Sequence, residues 1–141
     1  IEKIWPVTDS QEDLYHSFYI ESRAEKMNRR KVGQEQEELA AKYLEEKGYE
    51  ILERNYRIRT GEIDLIAREG RYLVFIEVKY RKNLQMGDPL EAVDVRKQQR
   101  IYQTARYYLH QKKWENMPCR FDVIGITGTQ ICHIRNAFGS I

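Results

Sequence analysis

The stretch Gly61-Glu62-Ile63-Asp64-Leu65-Ile66-Ala67-Arg68-Glu69-Gly70-Arg71-Tyr72-Leu73-Val74-Phe75-Ile76-Glu77-Val78-Lys79 decides the fold. Ile63, Leu65 and Ala67 alternate with Glu62, Asp64 and Ile66, the period-two pattern of a strand over Glu62–Arg68. Glu69-Gly70 reads as a two-residue hairpin loop. Arg71–Tyr80 then forms a second strand whose middle, Leu73 to Val78, is almost wholly apolar, as in a central strand covered on both faces. With that loop, Ile66 pairs with Leu73, Asp64 with Phe75, and Glu62 with Glu77. Paired residues share a face. Glu62, Asp64, Glu77 and Lys79 are therefore expected on one face, with Asp64 and Glu77 as diagonal neighbours.

Such a face is costly. It sets three carboxylates beside Ile66, Leu73 and Phe75, where an ionised group needs a partner or a metal. A hard cation, Mg²⁺ or Mn²⁺, suits carboxylate oxygens and keeps several waters. Asp64 and Glu77 are the candidate ligands. Lys79 beside them is placed to orient or help deprotonate water and to steady phosphate charge. A lone E-x-K in a strand is more often a salt bridge on a solvated face. What sets this one apart is the apolar strand it ends and the acid-x-Asp pair across the hairpin.

Working outward, a helix is expected over Gln34–Lys47, with Ala40, Tyr43 and Leu44 as its apolar stripe and Gly48 as its stop. Glu37 is the acid on its buried side and a candidate third ligand; the bland alternative is a capping or helix-surface carboxylate. A strand follows over Tyr49–Arg57, with a turn at Thr60-Gly61. A second helix starts at Asp88, with Pro89 first and Glu91 closing a capping box, and runs to about Gln111. Leu90, Val93, Ile101, Ala105 and Tyr108 form its stripe, and Lys97 falls unexpectedly in the middle of it. That position suits a contact with substrate phosphate or a site carboxylate; the bland alternative is a lysine snorkelling past the core edge. Strands over Arg120–Ile126 and Gln130–Arg135 complete an α/β order of αβββαββ. Ahead of it, Ser10-x-x-Asp13 with Leu14 and Phe18 suggests a short helix, and Asn28-Arg29-Arg30-Lys31 a polar linker. Residues 1–30 are thus read as an extension and 31–141 as the main domain.

The chain of 141 residues fits one domain with an adequate core. Its 24 Lys and Arg against 22 acids give a net charge of only +2, so total charge does not identify a partner. The distribution says more, because acids gather between Glu35 and Glu53 while bases cluster elsewhere. Arg57, Arg59, Arg81, Lys82, Lys97 and Arg100 are candidate contacts to a nucleic-acid backbone. Cys119 and Cys132 are too few for a disulfide scaffold and read as buried core in a reducing compartment. No apolar run reaches membrane-spanning length and no signal peptide opens the sequence, so a cytoplasmic protein without membrane contact is expected. His16, His110 and His133 lack zinc-site spacing, and no phosphate-cradling glycine loop or G-x-S-x-G elbow is present.

Gly61-Glu62-Ile63-Asp64-Leu65-Ile66-Ala67 followed by Val74-Phe75-Ile76-Glu77-Val78-Lys79 closely resembles the bacterial UPF0102, or YraN-like, family. Glu37-Glu38-Leu39-Ala40, Gly48-Tyr49, Asn55-Tyr56-Arg57 and Arg120-Phe121-Asp122-Val123 extend the likeness over about residues 31 to 135. That family is similar to archaeal Holliday junction resolvases and RecB-type nuclease domains of the PD-(D/E)xK class. The resemblance implies a restriction-endonuclease-like core, a mixed sheet flanked by helices. It also implies Asp64, Glu77 and Lys79 as a nuclease triad, with Glu37 as the accessory acid. The expected activity is Mg²⁺- or Mn²⁺-dependent cleavage of DNA rather than RNA, with branched or damaged DNA as candidate substrates and a homodimer where both strands are cut. Gln36 departs from the glycine that commonly precedes the helix acid, and residues 1–30 have no recognised counterpart. Two rival expectations are a nucleic-acid-binding module that does not cut and a protein-interaction domain that docks through residues 1–30.

Overall fold

The computed structural model describes residues 23–81, 93–128 and 130–139. The elements are α1 (Arg23–Glu46), β1 (Glu50–Ile58), β2 (Gly61–Glu69), β3 (Tyr72–Arg81), α2 (Val95–Lys112), β4 (Cys119–Thr127) and β5 (Gln130–Ile134). The αβββαββ order is the one expected. They build one mixed sheet in the order β1-β2-β3-β4-β5, antiparallel except for β3 and β4. Parallel neighbours need a crossover, and α2 lies within it. Apolar side chains alternate between two cores. Ala40, Ala41 and Leu44 of α1 cover Leu65, Ala67, Val74, Ile76, Ile124 and Ile126. On the other face Ile101, Ala105, Tyr108 and Leu109 of α2 cover Ile66, Leu73, Phe75 and Phe121.

Several expectations need correction. The helix read from Gln34 already includes Arg23, so Asn28-Arg29-Arg30-Lys31 is helical and not a linker. It ends as foreseen at Gly48, whose φ of 91° lets the Tyr49 amide donate to the Leu44 carbonyl. The second helix starts at Val95. Its N-cap is Asp94, whose side chain accepts from the Lys97 amide at 2.9 Å, while Val93 precedes the helix and is buried. The Asp88-Pro89 start, Leu90, Lys82 and the Ser10 helix lie outside the described residues. Cys119 and Cys132 are half-buried rather than core.

The hairpin register also moves. Glu69 pairs with Tyr72 and Ile66 with Phe75, so the loop is Gly70-Arg71. Gly70 takes φ 58°, the left-handed conformation that glycine accommodates without a Cβ clash. The described β2–β3 ladder ends at Leu65–Ile76. It stops one step short of Asp64 and Glu77, where the Val78 amide turns to the Asp64 carboxylate.

A second correction concerns the faces. Ile63 belongs to the α2-side core, whereas Leu65 belongs to the α1-side core. Alternation along β2 therefore slips at Asp64. Opposite it in β1, between Arg54–Leu65 and Tyr56–Ile63, lies Asn55 at φ 50°. A left-handed residue reverses the local pleat, and asparagine tolerates that conformation better than most residues.

At the α1-side margin a polar network joins distant elements. Arg120 donates to both carboxylate oxygens of Asp122 at 2.8 and 2.9 Å, to Glu69 at 2.8 Å and to the Tyr49 hydroxyl at 2.6 Å. His133 Nε2 meets Asp122 at 2.7 Å, and the Asn136 amide donates to it at 3.0 Å. Burial alone would raise the Asp122 carboxyl, but His133, Arg120 and the Asn136 amide hold it below its usual range. Its stabilising contribution is thus present above the ordinary carboxylate range and is lost as pH falls through the lowered value. Asp122→Asn keeps the shape but removes the charge, and should cost about 1.5–3 kcal/mol in chemical denaturation at neutral pH. A variant as stable as the parent would show that the network does not hold the sheet together.

Candidate metal centre

The opening of β2 and β3 beyond Leu65–Ile76 creates the site. There the Asp64 carboxylate, not a backbone carbonyl, accepts the Val78 amide at 2.8 Å. Burial, and then the charge of Glu77, push the Asp64 carboxyl up to about 7 against the opposing Val78 amide. Glu77 lies on the α2 side with its side chain only 7% exposed. One of its oxygens meets Lys97 Nζ at 2.6 Å and Lys79 Nζ at 3.5 Å. Two ammonium groups thus share one carboxylate oxygen. Burial, reinforced by neighbouring Lys97, lowers the Lys79 ammonium. Burial acts in the same direction on Lys97, but Glu77 outweighs it and raises that group.

Lys97 contacts a site carboxylate because it stands in the first turn of α2, beside the end of β3. Glu37 of α1 approaches from the other layer. Burial and Glu62 raise its carboxyl, while a hydrogen bond with Asn55 opposes them. Sequence reasoning does not place Asn55 at the site. The residue type that permits its left-handed backbone is the one signal that could have found it. Ile63 faces the α2 side, so its neighbour Glu62 points to the α1 side, away from Glu77 and Lys79; it is exposed there and pairs with Arg57 at 3.0 Å.

The basic candidates divide. Arg57 and Arg59 are exposed on and beside the β1–β2 turn, and Arg100 is exposed on α2. Gly61 brings these two regions together: a Cβ there would lie 2.6 Å from the Thr104 hydroxyl and 3.4 Å from the Arg100 carbonyl. Only glycine permits that approach. Arg81 is half-buried, with one guanidinium nitrogen on the Tyr80 carbonyl at 3.5 Å.

Among the described residues no three His, Cys, Asp or Glu side chains close around a common point. Two adjacent carboxylates, one of them raised by burial and like charge, fit a hard divalent ion that keeps water and takes substrate oxygens. Zinc prefers nitrogen or sulfur ligands, and the described residues gathered at this opening supply carboxylates and lysines instead. No helix among the described residues is long and apolar enough to cross a membrane.

Residues 36–126 match the model of the uncharacterised protein family UPF0102. A UPF0102 protein of Lachnoclostridium phytofermentans is 53% identical over 113 residues, covering 79% of this chain and 96% of that protein. One from Thermodesulfovibrio yellowstonii is 48% identical over 112 residues, covering 79% and 99%. Another, from Carboxydothermus hydrogenoformans, is 47% identical over 100 residues, covering 71% and 85%. With the matched span enclosing Glu37, Asp64, Glu77, Lys79 and Lys97, the chain belongs to the UPF0102 family.

Proposed function

We propose that the protein is a divalent-metal-dependent phosphodiesterase acting on DNA, with a restriction-endonuclease-like core. The observation that carries the reading is the meeting of Asp64, Glu77 and Lys79 where β2 and β3 part. There, burial raises one carboxyl and lowers one ammonium. Burial and specific charge partners that shift groups of opposite type in one opening make it a candidate reactive site.

Asp64 and Glu77 would hold Mg²⁺ or Mn²⁺, with Glu37 as a third acid nearby. The ion, when bound, supplies positive charge to phosphate oxygens and to the attacking water. Lys79 then orients that water, is more readily available as a neutral proton acceptor than an ordinary lysine, and faces the phosphate. Lys97 balances the charge of Glu77. Arg57, Arg59, Arg81 and Arg100 grip the phosphates, so binding should weaken as salt rises. Cutting both strands of a junction would call for two copies of the chain.

The test is a panel of labelled single-stranded, duplex, flapped and four-way-junction DNA, with RNA beside them. Each is incubated with Mg²⁺, Mn²⁺ or chelator. Cleavage that needs the metal supports the reading and identifies the preferred substrate. Binding without cleavage under every ion would overturn it in favour of a non-cutting nucleic-acid-binding module.

A further inference from the structure

The amino-terminal half of α1 is not absorbed by the site. Every residue from Arg23 to Lys31 is exposed, and the helix is buried only at Ala40, Ala41 and Leu44. Its charge is divided along its length. Arg23, Lys26, Arg29, Arg30 and Lys31 precede Gly33 with Glu25 as the sole acid. Glu35, Glu37, Glu38, Glu45 and Glu46 follow with Lys42 as the sole base. Bases toward the amino end and acids toward the carboxyl end oppose the helix dipole, so helix stability does not explain the arrangement.

The bases are also ordered around the helix. At about 100° per residue, Arg23, Lys26, Arg30, Glu37, Ala41 and Leu44 fall within one arc of about 60°. The face that packs on the sheet through Leu44 and Ala41 thus reaches the metal centre at Glu37 and continues outward as Arg30, Lys26 and Arg23. Rising about 1.5 Å per residue, these three lie about 10, 17 and 21 Å along the axis from Glu37. None has an acid three or four positions away in the sequence, so within the helix they only repel one another. Lys31 differs, with Glu35 four positions on. The family match begins at residue 36, after this arm.

We propose that Arg23, Lys26 and Arg30 form a basic arm that lies along the phosphate backbone leading away from the metal centre. The arm extends the substrate footprint by about three to six base-pair steps of 3.4 Å. Its occupant is nucleic acid, because the stripe is collinear with Glu37 and its three cations stand in one row, the charge complement of a phosphate backbone. This inference rests on the nucleic-acid reading of the site.

The experiment compares the whole protein, the triple variant Arg23→Gln/Lys26→Gln/Arg30→Gln, and Lys31→Gln, with circular dichroism to confirm the helices. Binding to a fluorescent duplex of about 25 base pairs is followed by anisotropy, in chelator, across a salt series. The triple variant should bind at least about tenfold more weakly at low salt. Its slope of log affinity against log salt should fall by about 2–3, near 0.9 per lost phosphate contact, while Lys31→Gln stays unchanged. In steady-state cleavage its KM should rise with kcat retained. If the parent binds duplex and the triple variant matches it in affinity and slope, the arm proposal is wrong and the site reading stands. If the parent binds no nucleic acid, the site reading falls and takes the arm with it. Parent binding to phosphatidylserine vesicles but not to duplex, lost in the triple variant, would overturn the proposal in favour of a lipid-facing arm.

Discussion

Asp64→Ala is expected to abolish cleavage, a loss of about 10³-fold or more, together with specific Mn²⁺ binding. Asp64 is the carboxylate at the parting of β2 and β3, held there by the Val78 amide. Without it Glu77 is left with its two lysines and no second carboxylate opposite. Asp64→Asn separates chemistry from folding. The carboxamide it introduces can still accept the Val78 hydrogen bond but cannot ionise. In the parent the carboxyl, pushed up to about 7, holds a proton in the folded state that the unfolded chain releases near its ordinary value of 3.8. The folded form binds more protons between those values, so stability without metal falls as pH rises through that window. Asp64→Asn should therefore be more stable than the parent at about pH 8, by about 3–4 kcal/mol, and nearly equal to it below about pH 4. Mn²⁺ affinity of the parent should weaken as pH drops below about 7, because the ion must displace that proton. Calorimetric titration across pH and thermal scans without metal check both. A substitution that left cleavage intact would remove Asp64 from the chemistry altogether.

Lys79→Ala is expected to reduce single-turnover cleavage by about 10²–10⁴-fold while sparing Mn²⁺ binding. Lys79 neighbours Glu77 at 3.5 Å, but Lys97 is closer to that same oxygen at 2.6 Å and still balances it. The carboxylate pair should thus survive the loss. Lys79→Arg distinguishes the two tasks given to this residue. Arginine stays protonated and can steady a phosphate, yet it cannot take a proton from water. Recovery with arginine would make Lys79 an electrostatic group, and continued inactivity would make it the proton acceptor. Full activity of Lys79→Ala would show that neither task is its own.

Much of this was legible because the informative residues are local. The apolar run Leu73–Val78 and the tight glycine turn give the hairpin, and the hairpin selects Asp64, Glu77 and Lys79. The lysine breaking the α2 stripe signalled its contact with the site. What was not legible has physical causes. A period-two reading assumes uniform pleat, and a left-handed Asn55 reverses it across the sheet from Asp64, which separated Glu62 from the others. Gly70 takes the first loop position, so every β2 residue pairs two positions further along β3 than a loop at Glu69-Gly70 would set it. Asn28-Arg29-Arg30-Lys31 carries no apolar stripe, so nothing local marks it as helix. Extending a helix already packed at Ala40–Leu44 needs no new nucleus. Arg120 joins Asp122 to Tyr49 and Glu69, residues far from it in the chain, and only the folded sheet brings them together.

The Val78 amide makes the centre observable without any substrate. Its proton points at the one carboxylate expected to exchange a proton for a cation. An isotope-labelled sample would therefore carry a built-in spectroscopic reporter at Val78. Its resonance should follow the ionisation of Asp64 as acid is added, and should move again when a diamagnetic ion arrives. Occupancy of the centre becomes readable from a single backbone position.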